Sequence, residues 1–290
     1  MISMWNMRRI KLSQFQLLNL IFNLTSAQNK MKSLVESVKN CALQAQKASC
    51  SRTFLNNTVS DPVSQHIVQQ MQDLTPEMLG CTGDQDPFYF KGNLNRVTIT
   101  GENCEDFRLV LFFIKKGTIM PLHDHPNMSV FFRLVFGELK YHGFDKVDEK
   151  FKYNDFSHDE YLELLANKTA IKAKKTKQMI LKKDAVMYVR PSFNNLHTFE
   201  AQENSCFFDI CLPNYTPQSH FRKITYFKES ESCAFNAQTP FADDDLKQRR
   251  ATLTDIVYDT TPPILPTNFA VHDVPYRGSM LERTLWRLLT

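Results

Sequence analysis

The stretch Gly117-Thr-Ile-Met-Pro-Leu-His123-Asp-His125-Pro126 sets two imidazoles two residues apart, between two apolar runs. In an extended segment residues i and i+2 point to the same face, so both rings can reach one metal ion. A third ligand has to come from elsewhere in the chain. His197 is the best placed, because Tyr188-Val-Arg-Pro and Phe199-Glu-Ala put it at the edge of another strand. An isolated His-x-His pair arises by chance among eight histidines, so its meaning depends on its surroundings. His66, His142, His158, His220 and His272 have no second ligand at useful spacing and read as surface or satisfied core histidines.

The elements that must position these rings are short strands. Val97-Thr-Ile-Thr, Phe107 to Ile114, Ser129 to Phe136, Met179-Ile-Leu, Ala185 to Val189 and Cys206 to Cys211 are β-branched or aromatic and are separated by Gly, Pro or charged turns. That pattern predicts an all-β barrel or jelly roll. Val63, Ile67, Met71 and Leu74 recur at helical spacing and predict a short helix leading into the barrel. Asp159-Glu-Tyr-Leu-Glu-Leu-Leu predicts a helical excursion within 145–175, and the Lys-rich run from Lys168 to Lys183 reads as a solvated face. Residues 232–270, with Asp243-Asp-Asp and Pro262-Pro-Ile-Leu-Pro, read as loop, and Ser49 to Ser60 as a linker.

Gly117 followed by five residues and His-x-His, with Gly137 beyond, has the spacing of the first cupin motif. The position at which many cupins place a metal-binding glutamate falls on Ser129 or Val130, neither of which carries a carboxylate. The stretch Pro121 to Gly137 resembles the thiol dioxygenases that include 2-aminoethanethiol (cysteamine) dioxygenase and the plant cysteine oxidases. The resemblance continues through Gly143-Phe-Asp145, Asn195-Leu-His197-Thr-Phe-Glu-Ala, Cys206-Phe-Phe-Asp209-Ile-Cys-Leu-Pro213-Asn-Tyr215, Thr225-Tyr226-Phe227 and Val274-Pro-Tyr-Arg-Gly278. It covers about residues 63–281.

The resemblance implies a cupin jelly roll in which His123, His125 and His197 bind Fe(II). Thiolate and dioxygen would take neighbouring open positions, and both oxygen atoms would reach sulfur to give a sulfinic acid. Asp209 matches a family acid beside the site and would hold a histidine, a water or the substrate amine; the alternative is a carboxylate facing solvent at a strand end. Tyr215 and Tyr226 match family tyrosines that either donate a hydrogen bond toward bound oxygen or fill the pocket rim. No nicotinamide, flavin or oxoacid cosubstrate is implied. The chain departs from the family at Ile224, where a cysteine able to cross-link to Tyr226 is usual. It also has Asn127 and Asn194 in place of glycine, Phe144 in place of tyrosine and Lys146 in place of tryptophan.

At 42% hydrophobic and 12% aromatic residues the chain is too apolar to be disordered, yet it holds no uninterrupted apolar run able to span a bilayer. Residues 1–60 carry eight Lys or Arg against the single acid Glu36, so the formal charge of +4 belongs to this arm. The body, residues 61–290, therefore does not read as nucleic-acid binding. Residues 1–35, basic and acid-poor with Ile10, Phe15, Leu18 and Phe22 along one face, resemble a mitochondrial targeting segment or a docking helix. The plainer alternative is an N-terminal helix packed on the body; as an address or docking element the segment would add little to barrel stability. Seven scattered cysteines without a C-x-x-C pair favour reduced thiols and an intracellular compartment. Cys206 and Cys211 have opposite strand parity and read as buried free thiols.

Three function classes follow. The first is an iron thiol dioxygenase acting on a small thiol such as cysteamine, or on a peptide N-terminal cysteine, with O2. The second is a dioxygenase-like cupin kept as an accessory subunit of a larger, mitochondrial assembly and docked through residues 1–60. A zinc or manganese cupin acting as isomerase or storage protein ranks third, because the glutamate ligand is missing.

Overall fold

The computed structural model describes residues 14–47, 62–81, 88–100, 106–216, 220–230, 253–259 and 271–276. Twelve strands among these form two layers. β1 (Leu94–Thr98), β2 (Arg108–Ile114), β4 (Ser129–Phe136), β7 (Val186–Val189), β9 (Ser205–Leu212) and β12 (Val271–Asp273) make an open sheet in the order β12-β1-β2-β9-β4-β7. The other six are β3 (Ile119–Asp124), β5 (Glu138–Lys146), β6 (Ala170–Lys182), β8 (Leu196–Ala201), β10 (Tyr226–Glu229) and β11 (Leu253–Asp259). These close into a ring, because β3 pairs with β8 on one side and with β10 on the other. The all-β expectation holds.

Burial explains the composition of each strand. β4 and β9 are buried along their whole length, since one face meets helices and the other meets the ring. A strand covered on both faces reads as a near-continuous apolar run, which is how Ser129 to Phe136 and Ser205 to Leu212 look in sequence. β6 alternates at its start, with Ile171 and Ala173 buried between exposed neighbours, so its lysines face water. Leu122, Phe144, Ile171, Leu196, Phe227 and Ile256, one from each of the six ring strands, belong to one buried cluster. The ring therefore has its own core, separate from the layer between the sheets.

Two turns need backbone that L side chains rarely adopt. Gly117 before β3 has φ +78° and Gly137 between β4 and β5 has φ +88°. A Cβ on Gly137 would also lie 2.2 Å from Ser205 Oγ, so this position excludes a side chain twice over. Asn127 and Asn194, which stand where the resembled family has glycine, likewise have positive φ, 55° and 53°. Asn is among the side chains that tolerate this region best, so the two substitutions keep the backbone path.

The structure differs from the sequence reading in three places. Leu253–Asp259, read as loop, is a ring strand paired with β6 and β10. Its Leu-Thr-Asp-Ile-Val-Tyr-Asp pattern is short and follows a charged stretch, so the alternation of Thr254, Ile256 and Tyr258 was easily missed. The Lys-rich segment is one 13-residue strand, of which only Met179 to Leu181 read as strand in sequence; repeated lysines masked the period-2 signal. Third, the arm is not separate from the core. Helix α1 (Gln14–Lys47) buries Met31, Leu34, Val35, Val38, Cys41 and Ala42. These sit in one cluster with Ile67 and Met71 of helix α2 (Pro62–Gln72) and with Phe131 and Phe208 of the open sheet. Gln70 Nε2 also donates to Ser33 Oγ at 2.6 Å. Arg133 of β4 holds the end of α2, its Nη1 donating to the Met71 and Leu74 carbonyls and its Nη2 bonding Asp184 at 2.7 Å. A cation at a helix C-terminus offsets the unpaired carbonyls there.

The expected helices are otherwise present: α2, and within the excursion α3 (Glu149–Lys152) and α4 (His158–Ala166). A capping box between Ser157 and Glu160 starts α4. Residues 1–13, the linker Ser49 to Ser60, Asp243-Asp-Asp and Pro262 to Pro266 lie outside the described residues. No described helix is long and apolar enough to cross a membrane.

Since Leu34 is fully buried in the cluster that α1 shares with α2 and the open sheet, Leu34→Ala is expected to destabilise the full-length protein by about 2–5 kcal/mol. Urea unfolding measures this. A loss below roughly 1 kcal/mol would restore α1 to an arm that merely rests on the body.

Candidate metal centre

His123 lies near the end of β3 and His125 just past it, and His197 lies directly opposite His123 on β8. A register shift in this pair between Met120 and His123 re-aims the strand, so that Met120 and His123 both reach the same cavity. The nitrogens of the three rings lie within 4.8 Å of one another, and ring centroids are 4.7–4.9 Å apart. Among the described residues this is the one cluster of three or more potential ligands. The rings meet between the closed ring and the open sheet, in a cavity of about 250 Å³.

Hydrogen bonds fix how two of the imidazoles present themselves. His123 Nδ1 lies 2.8 Å from the Pro121 carbonyl and His125 Nδ1 lies 3.1 Å from the Asn195 carbonyl. A carbonyl can only accept, so Nδ1 carries the proton and Nε2 keeps its lone pair. Asn195 adds to this by donating from Nδ2 to the His125 carbonyl at 2.7 Å. His197 Nδ1 is buried without a hydrogen-bond partner. Burial pushes the pKa of all three below the ordinary value of 6.5, that of His125 to about 3, with mutual repulsion adding for His125 and His197. The triad is thus neutral at pH 7, which is the form that binds metal. An all-imidazole set suits iron, zinc, copper or nickel better than magnesium or calcium.

The other three residues singled out in the sequence line the same cavity. Asp209 is 8% exposed, not at a solvent-facing strand end, and its Oδ1 has no partner. Burial raises its pKa well above 3.8, so its carboxyl tends to the neutral form. Tyr215 donates from its hydroxyl to the Asp124 carbonyl at 3.2 Å and lies 6.0 Å, ring to ring, from His125. Tyr226 is paired with His123 across β3 and β10, its ring 6.3 Å from the imidazole. Burial raises the pKa of both phenols, which stay protonated. Ile224 lines the cavity near them, and Cys211 does too, whereas Cys206 turns to the helical side and meets Cys81 at 4.0 Å.

Sequence reasoning missed what holds this arrangement from behind. Asp124, between the two histidines, points to the ring-core face of β3 and forms an ion pair with Lys146 of β5, Oδ2 to Nζ 2.7 Å. The side chains are 1% and 2% exposed. Asp124 Oδ1 accepts from the Thr225 backbone N–H at 2.9 Å, and its own N–H donates to the Thr225 carbonyl at 3.1 Å. Lys146 adds a contact to Asn154 Oδ1 at 3.4 Å and lies 5.2 Å over the Phe227 ring. The signal was available: an acid between two ligands in a strand must face the opposite side, and Lys146 was already marked as a departure from the resembled family.

Two predictions follow from these charges. Removing one partner of a buried pair strands the other, so Lys146→Met should destabilise by about 3–5 kcal/mol. Adding Asp124→Asn should recover much of that loss; equal instability of single and double variants would show that the pair is not the source. For pH, the unfolded histidines take up protons as pH falls through 6.5, while the folded ones, with lowered pKa, do not. Stability of the metal-free protein is therefore lost below 6.5. Asp209, with raised pKa, has the opposite sign: its folded form is penalised once pH exceeds 3.8. Asp209→Asn should thus stabilise the metal-free protein at pH 7 by on the order of 1 kcal/mol, a gain that fades toward pH 4. Thermal unfolding across that range decides it, and a gain independent of pH would mean that the carboxyl is not neutral.

Comparison with known proteins finds relatives along most of the chain. Plant cysteine oxidase 2 of Arabidopsis thaliana is 21% identical over 251 residues, which span 82% of this chain and 84% of that relative. The probable 2-aminoethanethiol dioxygenase of Dictyostelium discoideum is 28% identical over 127 residues, 43% of this chain and 51% of its own length. The 2-aminoethanethiol dioxygenase of Mus musculus is 26% identical over 133 residues, 44% of this chain and 52% of its own. The chain thus matches about half the length of these two. Among solved structures, an RmlC-like cupin from Desulfovibrio desulfuricans overlaps 43% of this chain and 87% of that one, at 14% identity and a TM-score of 0.27. The PCO_ADO family model matches residues 65–281, well over half of the sequence, and the chain belongs to that family.

Proposed function

We propose that the chain is a thiol dioxygenase that converts a small thiol or an N-terminal cysteine to the sulfinic acid, with His123, His125 and His197 holding Fe(II). The observation that carries this reading is the convergence of three neutral imidazoles, with no carboxylate among them, on a cavity sized for a small thiol. Ferrous iron bound there would supply adjacent positions for thiolate and dioxygen. The overall change is RSH + O2 → RSO2H: sulfur loses four electrons, both oxygen atoms gain them, and no further reductant or cosubstrate is needed.

The residues of the chain divide the remaining work. The carbonyls of Pro121 and Asn195 hold two imidazoles with Nε2 outward. Apolar walls from Met120, Phe199 and Phe207 exclude water from the space in front of them. Tyr226, whose hydroxyl has no acceptor among the described residues, is free to donate toward an oxygen entering the cavity. Tyr215 is committed to the Asp124 carbonyl and acts on position. The Asp209 carboxyl, orphaned in the empty cavity, is available to accept from a substrate ammonium or to donate when protonated.

Replacing His197 by Ala should abolish iron retention and oxygen uptake together. Asp209→Asn should keep iron and slow turnover or weaken substrate binding by about 10 to 100-fold. The assay is iron content with oxygen consumption on cysteamine and on a peptide with N-terminal Cys. Wild-type protein loaded with Fe(II) that consumes no oxygen with any thiol would overturn the proposal.

A further inference from the structure

The wall opposite the histidines is unusual for an apolar pocket. On β2 the alternate residues Arg108, Val110 and Phe112 line the cavity, so a guanidinium belongs to the same face as the apolar side chains. On the neighbouring strands the same layer continues as Arg96 of β1, paired across from Phe112, and as Asp209 and Cys211 of β9, paired with Val110 and Arg108. The cavity thus has two cations on one wall and three neutral imidazoles on the other.

The two cations are not equivalent. Arg96 is matched: its Nε and Nη2 bond Asp273 Oδ1 and Oδ2 at 2.7 and 2.9 Å in a bidentate pair. Arg108 is not matched. Its Nη2 donates to Thr98 Oγ1 at 2.8 Å, a neutral oxygen, and Asp273 favours its charge only through space, its two carboxylate oxygens being bonded to Arg96. Burial and the nearby Arg96 both disfavour its charge and lower its pKa, although a guanidinium remains protonated at any ordinary pH. Asp209, the acid that lines the cavity, is held toward its neutral form, so the one carboxylate acting on Arg108 is Asp273, already shared with Arg96. A half-buried guanidinium with N–H groups to spare and no carboxylate bonded to it among the described residues is a planar fork open to an oxyanion.

The geometry points to Arg108 as a specificity-determining residue that binds a carboxylate on the far end of the substrate, so that the preferred substrate is a small thiol acid and not cysteamine. This rests on the thiol dioxygenase reading and narrows it. A thiol acid would place sulfur at the histidines and its carboxylate at the Arg108 wall of one cavity, with Thr98 fixing the guanidinium from the side. Cysteamine offers Arg108 only a second cation, which adds repulsion to the Arg96 charge already there.

The test uses full-length protein loaded with Co(II) under anaerobic conditions and titrated with cysteine, cysteinamide, 3-mercaptopropionate and cysteamine, following the thiolate-to-cobalt absorption. Cysteine and cysteinamide differ only in the carboxylate. The expected result is that each of the two acids binds at least about 10-fold more tightly than cysteinamide or cysteamine, the scale of a charge-assisted pair. Arg108→Met should collapse that ratio toward unity, and Arg108→Lys, which keeps the charge and loses the fork, should retain part of it. Cobalt content of each variant shows that the site is intact. Equal binding of acids and non-acids by the wild type, or a ratio that survives Arg108→Met, would overturn the assignment while leaving the dioxygenase reading in place. Absence of a thiolate band with every thiol, cobalt being bound, would overturn both.

Discussion

The site depends on a buried ion pair that touches neither cavity nor substrate. Asp124 sits between two ligands on a strand, and strand geometry forces its carboxylate to the face opposite the imidazoles. There it needs a cation, which Lys146 provides from β5, and hydrogen bonds, which Thr225 provides from the segment entering β10. Three strands are thereby tied together by polar bonds: β5 through Lys146, β3 through Asp124 and β10 through Thr225 at its entry. The closure of the ring between His123 and Tyr226 is a single paired position, so this cluster, more than the ladder, keeps the ring shut. The helical excursion joins in, for Asn154 contacts Lys146 and the Tyr161 hydroxyl lies 3.2 Å from Thr225 Oγ1.

A pair of charges in an apolar core is an expensive way to join strands, since desolvation can exceed the attraction between them. What it provides here is register. A one-residue slip of β3 would carry Asp124 into the cavity and the histidines into the ring core, leaving Lys146 without its partner. Hydrophobic contacts alone would tolerate such a slip better, as Leu122 and Met120 could exchange faces at modest cost. The ion pair therefore specifies which face of β3 presents imidazole.

Much of this was legible in the sequence. The His-x-His pair, the distant His197 and the apolar β4 and β9 follow from strand parity and hydrophobic runs, and the family resemblance led to Asp209, Tyr215 and Tyr226. What stayed hidden had a physical reason in each case. β6 and β11 carry charge on their water-facing sides, so lysines and aspartates diluted the alternation that betrays a strand. The core role of α1 depends on Met31, Leu34, Val35 and Val38 joining a cluster with α2 and a sheet formed far along the chain, and a basic composition drew attention to charge instead. Lys146 was visible as a substitution, but its partner lay 22 positions earlier and on a face that becomes buried only when the excursion folds over it. Arg108 looked like one polar residue at the start of an apolar strand, and such residues usually mark a solvent-facing end.

The electrostatics of the cavity follow from which charges are matched. Burial neutralises the histidines and Asp209 by shifting their protonation, because each can change state within reach of neutral pH. Arginine has no such escape, so a buried guanidinium keeps its charge and must find a counter-ion or remain strained. Arg96 has Asp273, supplied by the short parallel strand β12 at the edge of the open sheet. That pair fastens the C-terminal segment across β1 and brings Val271 to the cavity wall. Arg108, one strand further in, has no directly bonded carboxylate among the described residues and shares Asp273 only through space. With one carboxylate shared between two arginines, the cavity carries a net positive charge opposite three neutral imidazoles, and a divalent cation held by them would make the interior more positive still. A thiolate alone offsets part of that charge. On the proposed reading, a substrate bearing both thiolate and carboxylate would offset it at both walls, so a metal held by the histidines would increase the cavity's preference for a second anionic group.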